Sequence, residues 1–190
     1  GNRSDAGFQV TEHYLFSGDS EFSLKTQVVP FGDLPEVARV GYEMALGDQY
    51  EKFRWYGCGP WEAYADRKDG AMLGYYEGAI DDQFTNYVYP QENGNKYGVR
   101  WAEVVAPHGP ILQVRGTAPL EVSVRRYTTM NLAEAQHPFD LKPLRNPILH
   151  VNHRMAPVGN ESCGPVPLEK YVLYPKIWDF EILFEINDKK

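Results

Sequence analysis

The run Trp178-Asp-Phe-Glu-Ile-Leu-Phe-Glu-Ile186 places a bulky apolar residue at every second position and mostly acidic residues between them. A helix carries its apolar face at a period near 3.6, so this spacing can bury one face only as an extended strand. The same period runs through Val40, Tyr42, Met44 and Leu46, and through Leu120, Val122 and Val124, up to Arg125. Alternation of this kind belongs to antiparallel sheets with one covered face. Further strand candidates are 8–15, 22–29, 49–55, 98–105, 111–116, 148–153 and 170–173. Helix signals are few. Asn131 with Glu134 three residues later fits a capping box ahead of Pro138, and Asp66 fits a cap for a turn reaching Met72. The expected class is all-β, an antiparallel sandwich with very little helix.

Length and charge narrow the function classes. The 190 residues suffice for one domain spanning 1–190 with a core of its own. Gly and Pro are scattered rather than clustered, so no linker divides it. The net charge of −7 and the lack of any longer basic cluster than Arg125-Arg126 or Lys189-Lys190 argue against a nucleic-acid partner. The same charge disfavours an anionic membrane surface, and no apolar run approaches the ~18 residues of a membrane span. The polar start, with Gly1 in place of Met, reads as a cut end without a signal-peptide core. These features suggest a soluble chain, cytoplasmic or periplasmic. Cys58 and Cys163 lie too far apart for a metal pair; two free thiols are favoured over one long-loop bridge. His150 and His153, three apart on a strand, point to opposite faces and cannot share a metal. No metal site is expected.

The aromatic content, 14% with 13 Tyr, is concentrated where no period holds. Trp55-Tyr-Gly-Cys-Gly-Pro-Trp-Glu-Ala-Tyr-Ala-Asp-Arg-Lys68 and Tyr87-Val-Tyr-Pro-Gln-Glu-Asn-Gly-Asn95, followed by Val99-Arg-Trp101, read as long ordered loops. Gly57 to Pro60 reads as a tight turn rather than a phosphate cradle, because no helix with Lys-Ser or Lys-Thr follows. Glu62, Asp66 and Glu92 could be the acid pair of a glycosidase. Structural duties fit them better: Asp66 pairing with Arg67 or capping a turn, and Glu92 shaping the Glu-Asn-Gly-Asn turn. Arg67 and Arg100 are expected to hold loops by carboxylate pairing. Trp55 and Trp61 are expected to pack into this layer.

The pattern W-x-G-x-G-P-x-E-x-Y-x-D-R-K (Trp55, Gly57, Gly59, Pro60, Glu62, Tyr64, Asp66, Arg67), then P-Q-E-N-G (Pro90, Gln91, Glu92, Asn93, Gly94) and V-R-W (Arg100), resembles the C-terminal small-chain domain of family 2 β-galactosidases. Leu34–Gly41, Ser123–Tyr127 with Leu132 and His137, and Ala156–Pro165 extend the likeness to nearly the whole chain. The resemblance implies a galactose mutarotase-like β-supersandwich, of which this chain is the C-terminal portion. It implies a parent that hydrolyses terminal β-D-galactosides with carboxylates in a separate (β/α)₈ barrel, and nothing here alternates strand and helix as a barrel requires. The partners implied are that barrel and the galactoside. Magnesium and sodium assist relatives in the catalytic domain; no cofactor is assigned to this chain. In the family, the loop matching Asn160-Glu161-Ser162-Cys163 carries a Trp that stacks on the aglycone. That position is Cys163 here, and Asn160, Glu161 and Cys163 are the candidate aglycone-side residues. A stand-alone carbohydrate-binding module and an aldose epimerase are the alternatives.

Overall fold

The computed structural model describes residues 5–18, 20–158 and 166–187, and within these the period-two reading holds. Nine antiparallel strands appear in chain order: β1 (Gly7–Ser17), β2 (Glu21–Phe31), β3 (Arg39–Ala45), β4 (Lys52–Gly59), β5 (Met72–Ala79), β6 (Lys96–Val105), β7 (Ile111–Arg125), β8 (Ile148–Met155) and β9 (Trp178–Asn187). Among the described residues there is a single α-helix, α1 (Thr129–Glu134), six residues long and placed between β7 and β8.

The strand order is β1-β2-β9-β7-β6-β4-β5, with β8 and β3 branching from β7. The branch arises because β7 changes partners along its length. Ile111–Gly116 pairs β9, whereas Glu121–Arg125 pairs β8. The sequence suggests two strands here, 111–116 and 120–125; they are one strand that bends between its two sets of partners. Its second half brings β8 and β3 over β2 and β9, where Tyr42 meets Phe180 edge-on at 6.3 Å and shares a 2.6 Å hydrogen bond with Thr26. That overlap makes the sandwich. Trp178, Phe180, Ile182 and Phe184 of β9 join Val122, Val124, Leu149 and Val151 in one core, as the alternation requires. Ile186, the last residue of the pattern, is exposed at the strand end.

Five local differences separate the sequence reading from the structure. β4 runs past Trp55 to Gly59, so Gly57 and Gly59 are strand residues and not a turn. Both are glycine because the sheet is tight there: a Cβ would lie 3.0 Å from Val99 Cα at Gly57 and 2.7 Å from the Tyr76 ring at Gly59. β5 has no sequence signal because Gly74 and Gly78 interrupt its alternation. The segment 170–173 forms a 3₁₀ turn at Glu169–Tyr171 rather than a strand, since Pro167 and Pro175 flank it and neither can donate to a ladder. The helix begins three residues earlier than the capping box implies: Thr128 is the cap and accepts from Asn131 N at 3.0 Å. Asp66 caps nothing; the 3₁₀ turn Lys68–Gly70 has no side-chain cap.

Candidate functional site

Facing residues of an antiparallel pair share a side of the sheet. The register therefore gathers one polar face from three strands. Glu43 of β3 lies opposite His150 of β8, which lies opposite Ser123 of β7; Asn152 lies opposite Glu121. Arg125 ends the row. Glu121, Ser123, Arg125, His150 and Asn152 are all buried, although alternation would put them in water. The loop 84–95 reaches this row, with Glu92 and Asn93 bonded to Arg125 and Asn95 to Glu121.

That loop is pinned by Glu92. Its carboxylate takes a bidentate pair from Arg125, Nη1–Oε1 2.7 Å and Nη2–Oε2 2.9 Å, and a further bond from Arg39 Nη2. Burial pushes the Glu92 carboxyl up, but the Arg125 and Arg39 guanidiniums overcome it and hold it below the usual range. Arg125 also donates to Asn93 O at 2.9 Å, and Asn93 Oδ1 accepts from Thr85 N at 3.0 Å. Gly94 takes φ +78, and a Cβ there would lie 2.5 Å from Gln83 O, so glycine is required. Arg39 Nη1 lies 3.0 Å from His150 Nδ1. A guanidinium only donates, so Nδ1 accepts and the proton of the neutral ring sits on Nε2. Burial, then Arg125 and Arg39, push His150 down to about 3.

The neighbouring motif closes the same layer. The Gly59–Pro60 peptide is cis, and Lys96 Nζ donates to Pro60 O at 3.2 Å while sitting 4.7 Å over the Trp55 ring. Burial lowers Lys96 to about 8. Glu62 accepts from Arg67 Nη2 at 2.7 Å, from Gly94 N at 2.7 Å and from the Tyr87 hydroxyl. Tyr64 is fully buried with Arg67 stacked 4.5 Å over its ring, and burial raises its hydroxyl. Glu121 joins this layer to β8: Oε2 accepts from Asn95 Nδ2 at 2.8 Å and Oε1 from Met155 N at 3.1 Å. Burial pushes its carboxyl up to about 7. Through Glu121 the motif layer fixes the last residue of β8, just before the segment that leads to position 160.

The motif residues thus converge as one scaffold, with differences of detail. Glu92 does not merely shape a turn; it is a charge centre for two arginines. Arg67 pairs Glu62 rather than Asp66, and Asp66 Oδ1 is buried without a partner. Arg100 does not clamp a carboxylate: it donates to Gly98 O at 2.6 Å and lies 5.8 Å from the Tyr56 ring, near the free Cys58 thiol. Pro90 is buried and Gln91 exposed, its carbonyl accepting from Asn93 Nδ2. Trp55 packs as expected, stacked 5.1 Å from Phe53, but Trp61 does not: it is 79% exposed, as is much of Val88 and Tyr89. Asn160, Glu161 and Cys163 lie outside the described residues. A concavity of about 670 Å³ opens between Ala156-Pro157 and Val166-Pro167, the two ends that bracket them. Nothing in the sequence marks Arg39, Arg125, His150, Glu121 or Lys96 as members of this network. Period two marks Arg125 and Glu121 as outward, yet both are buried, bonded to Glu92 and Asn95 of the loop respectively. Among the described residues, no three His, Cys, Asp or Glu side chains converge on a possible metal position, and no helix is long and apolar enough to cross a membrane.

Residues 2–186 match the family described as beta galactosidase small chain. The chain belongs to the β-galactosidase small-chain family. A β-galactosidase of Halalkalibacterium halodurans is 31% identical over 93% of this chain and 19% of that protein. One from Kluyveromyces lactis is 32% identical over 92% of this chain and 17% of its own length. One from Priestia megaterium is 30% identical over 85% and 16%. The small-chain match spans less than a fifth of each of these relatives.

Proposed function

We propose that this chain is the C-terminal sandwich portion of a β-galactosidase, that it supports a catalytic barrel, and that its segment Asn160–Cys163 walls the aglycone side of the active site. The parent's reaction would be retaining hydrolysis of terminal β-D-galactosides. Retention needs two carboxyl groups about 5 to 5.5 Å apart and free to reach the glycosidic bond. The observation that carries the supporting role is the state of the buried carboxylates. Glu92 is held by two arginines, Glu62 by Arg67, Tyr87 and Gly94 N, and Glu121 by Asn95 and Met155 N. Each serves as an anchor, so the acid and the nucleophile belong to another domain.

The chain's contribution would be positional. The network ties the loop layer to the end of β8 and so presets the direction in which residues 156–158 leave the sheet. A wall that is fixed before substrate arrives positions an acceptor without an ordering cost. The parent's magnesium and sodium would be held elsewhere, and no step here passes through them.

The test uses the full-length protein. It should hydrolyse a chromogenic β-galactoside and transfer galactose to added glucose. Cys163→Trp adds an aromatic contact worth roughly 0.5 to 1.5 kcal/mol beyond its area. The ratio of transfer to hydrolysis should then rise by several-fold. No galactoside turnover would refute the reading; turnover with an unchanged ratio in a folded variant would remove the aglycone wall from it.

A further inference from the structure

Two arginines lack what every other described arginine has. Arg100 of β6 and Arg154 of β8 meet no carboxylate among the described residues, whereas the others each form an ion pair. Both line one hollow of about 420 Å³, with Cys58, Leu73, Tyr97 and Leu120 among its walls. That volume lies in the range of small-molecule sites. Each guanidinium is steadied by a backbone carbonyl instead: Arg100 Nη1 donates to Gly98 O at 2.6 Å, and Arg154 Nη1 to His153 O at 2.7 Å. A guanidinium has five N–H donors, so most of each fork stays open to a ligand.

Strand pairing opens this hollow at the bend of β7. The registers with β6, β8 and β9 skip Thr117 to Pro119, and Pro119 and Leu120 line the hollow. β6 is irregular beside it, with register shifts between Lys96 and Val99 and between Val99 and Trp101. Gly98 takes φ +63 there, and a Cβ on it would lie 3.5 Å from Arg100 Nη1 and 3.9 Å from Cys58 Sγ. Irregularities of this kind re-aim a side chain, and here they bring Arg100 beside the free Cys58 thiol. One carboxylate lines the hollow, that of Glu121. It already accepts from Asn95 Nδ2 and Met155 N, and burial pushes it up to about 7, so it carries only part of a charge at neutral pH. Two cations therefore face one partly charged acid.

We infer that the hollow between Arg100 and Arg154 binds a small phosphate monoester. Near pH 7 such a group carries close to two negative charges and three strong acceptor oxygens. It therefore matches two unpaired guanidiniums, each of which can give two parallel N–H···O bonds. A single carboxylate is satisfied by one fork and leaves the second positive charge unanswered. The alcohol part of the ester lies against Leu73, Leu120 and Tyr97. The site shares no residue with the segment Asn160–Cys163, and the inference stands apart from the reading of the parent's activity.

Calorimetric titration of the full-length protein tests it, with phenyl phosphate as the ligand and phenol as the neutral control. Phenyl phosphate should bind and phenol should not. Arg100→Met and Arg154→Met should each weaken binding by about 10-fold or more, as the loss of a charge-assisted bond does. Arg115→Met removes an exposed guanidinium that pairs with Glu21, and should change binding by less than about 2-fold. Cys58 gives a readout that needs no variant. Phenyl phosphate should slow alkylation of its thiol by iodoacetamide several-fold, followed by mass spectrometry of the peptide that carries it. No binding, or binding unchanged in both Arg100→Met and Arg154→Met, overturns the inference. So does an alkylation rate unchanged at saturating phenyl phosphate. Inorganic phosphate that binds as tightly as phenyl phosphate overturns the monoester and leaves a bare anion site. No binding, together with a lower melting temperature in both arginine variants, overturns it in favour of a carboxylate from the longer polypeptide.

Discussion

Glu92→Gln is the substitution that bears most heavily on the scaffold. It keeps the size of the side chain and deletes one charge. Arg125, with 1% of its side chain exposed, then loses the carboxylate that met both its terminal nitrogens, and Arg39 loses its partner too. Removing one member of a buried pair costs about 3 to 5 kcal/mol, because the remaining charge stays desolvated. With a urea m-value of about 3 kcal/mol/M, the unfolding midpoint should fall by about 1 to 1.7 M. The comparison variant is Glu77→Gln, which breaks a pair with Arg54 whose side chains are 29% and 50% exposed, and it should cost at most about 1 kcal/mol. A third variant, Glu92→Gln with Arg125→Met, should recover part of the loss, since it removes the stranded charge. The assay is urea unfolding followed by circular dichroism. A Glu92→Gln midpoint within error of the parent, or no recovery in the double variant, would refute the claim that this charge centre holds the layer.

Two further predictions follow from burial. Trp55→Ala should cost about 3 to 5 kcal/mol, because the ring is 2% exposed and stacked on Phe53, whereas Trp61→Ala should change stability by no more than about 0.5 kcal/mol; thermal melts of the two variants compare them directly. Glu121 has a folded pKa near 7 against 4.5 in the free side chain, so the folded state keeps a proton that the unfolded chain has lost. Its contribution is present in full below about pH 4.5 and is lost as pH rises through 7, and Glu121→Gln should narrow the difference in urea midpoint between pH 5 and pH 8. An unchanged difference would assign that slope to other groups.

Much of the sheet was legible because one physical rule, alternate burial, acts on residues close in sequence. Trp178 to Phe184 and Leu120 to Val124 obey it, and their faces are where the alternation put them. β5 was illegible because an edge strand buries little, and its Gly74 and Gly78 erase the period. The motif blocks were recognisable as structural, but their partners were not. Nothing local tells that Glu92 meets Arg125 from 33 positions away, or that Glu62 meets Gly94 N. Those pairings are set by register between β7, β8 and β3 and by a loop folding over them. Trp61 failed for the converse reason: an aromatic in a dense motif suggests packing, yet it stands just beyond the end of β4, where the sheet stops.

The most direct measurement of the central claim is turnover of a chromogenic β-galactoside by this chain and by the full-length protein at equal concentration. The account predicts turnover by the full-length protein and none by the chain alone, because Glu62, Glu92 and Glu121 are committed to the scaffold. Turnover by the chain alone, abolished by Glu62→Gln or Glu92→Gln in a variant shown to be folded, would contradict it.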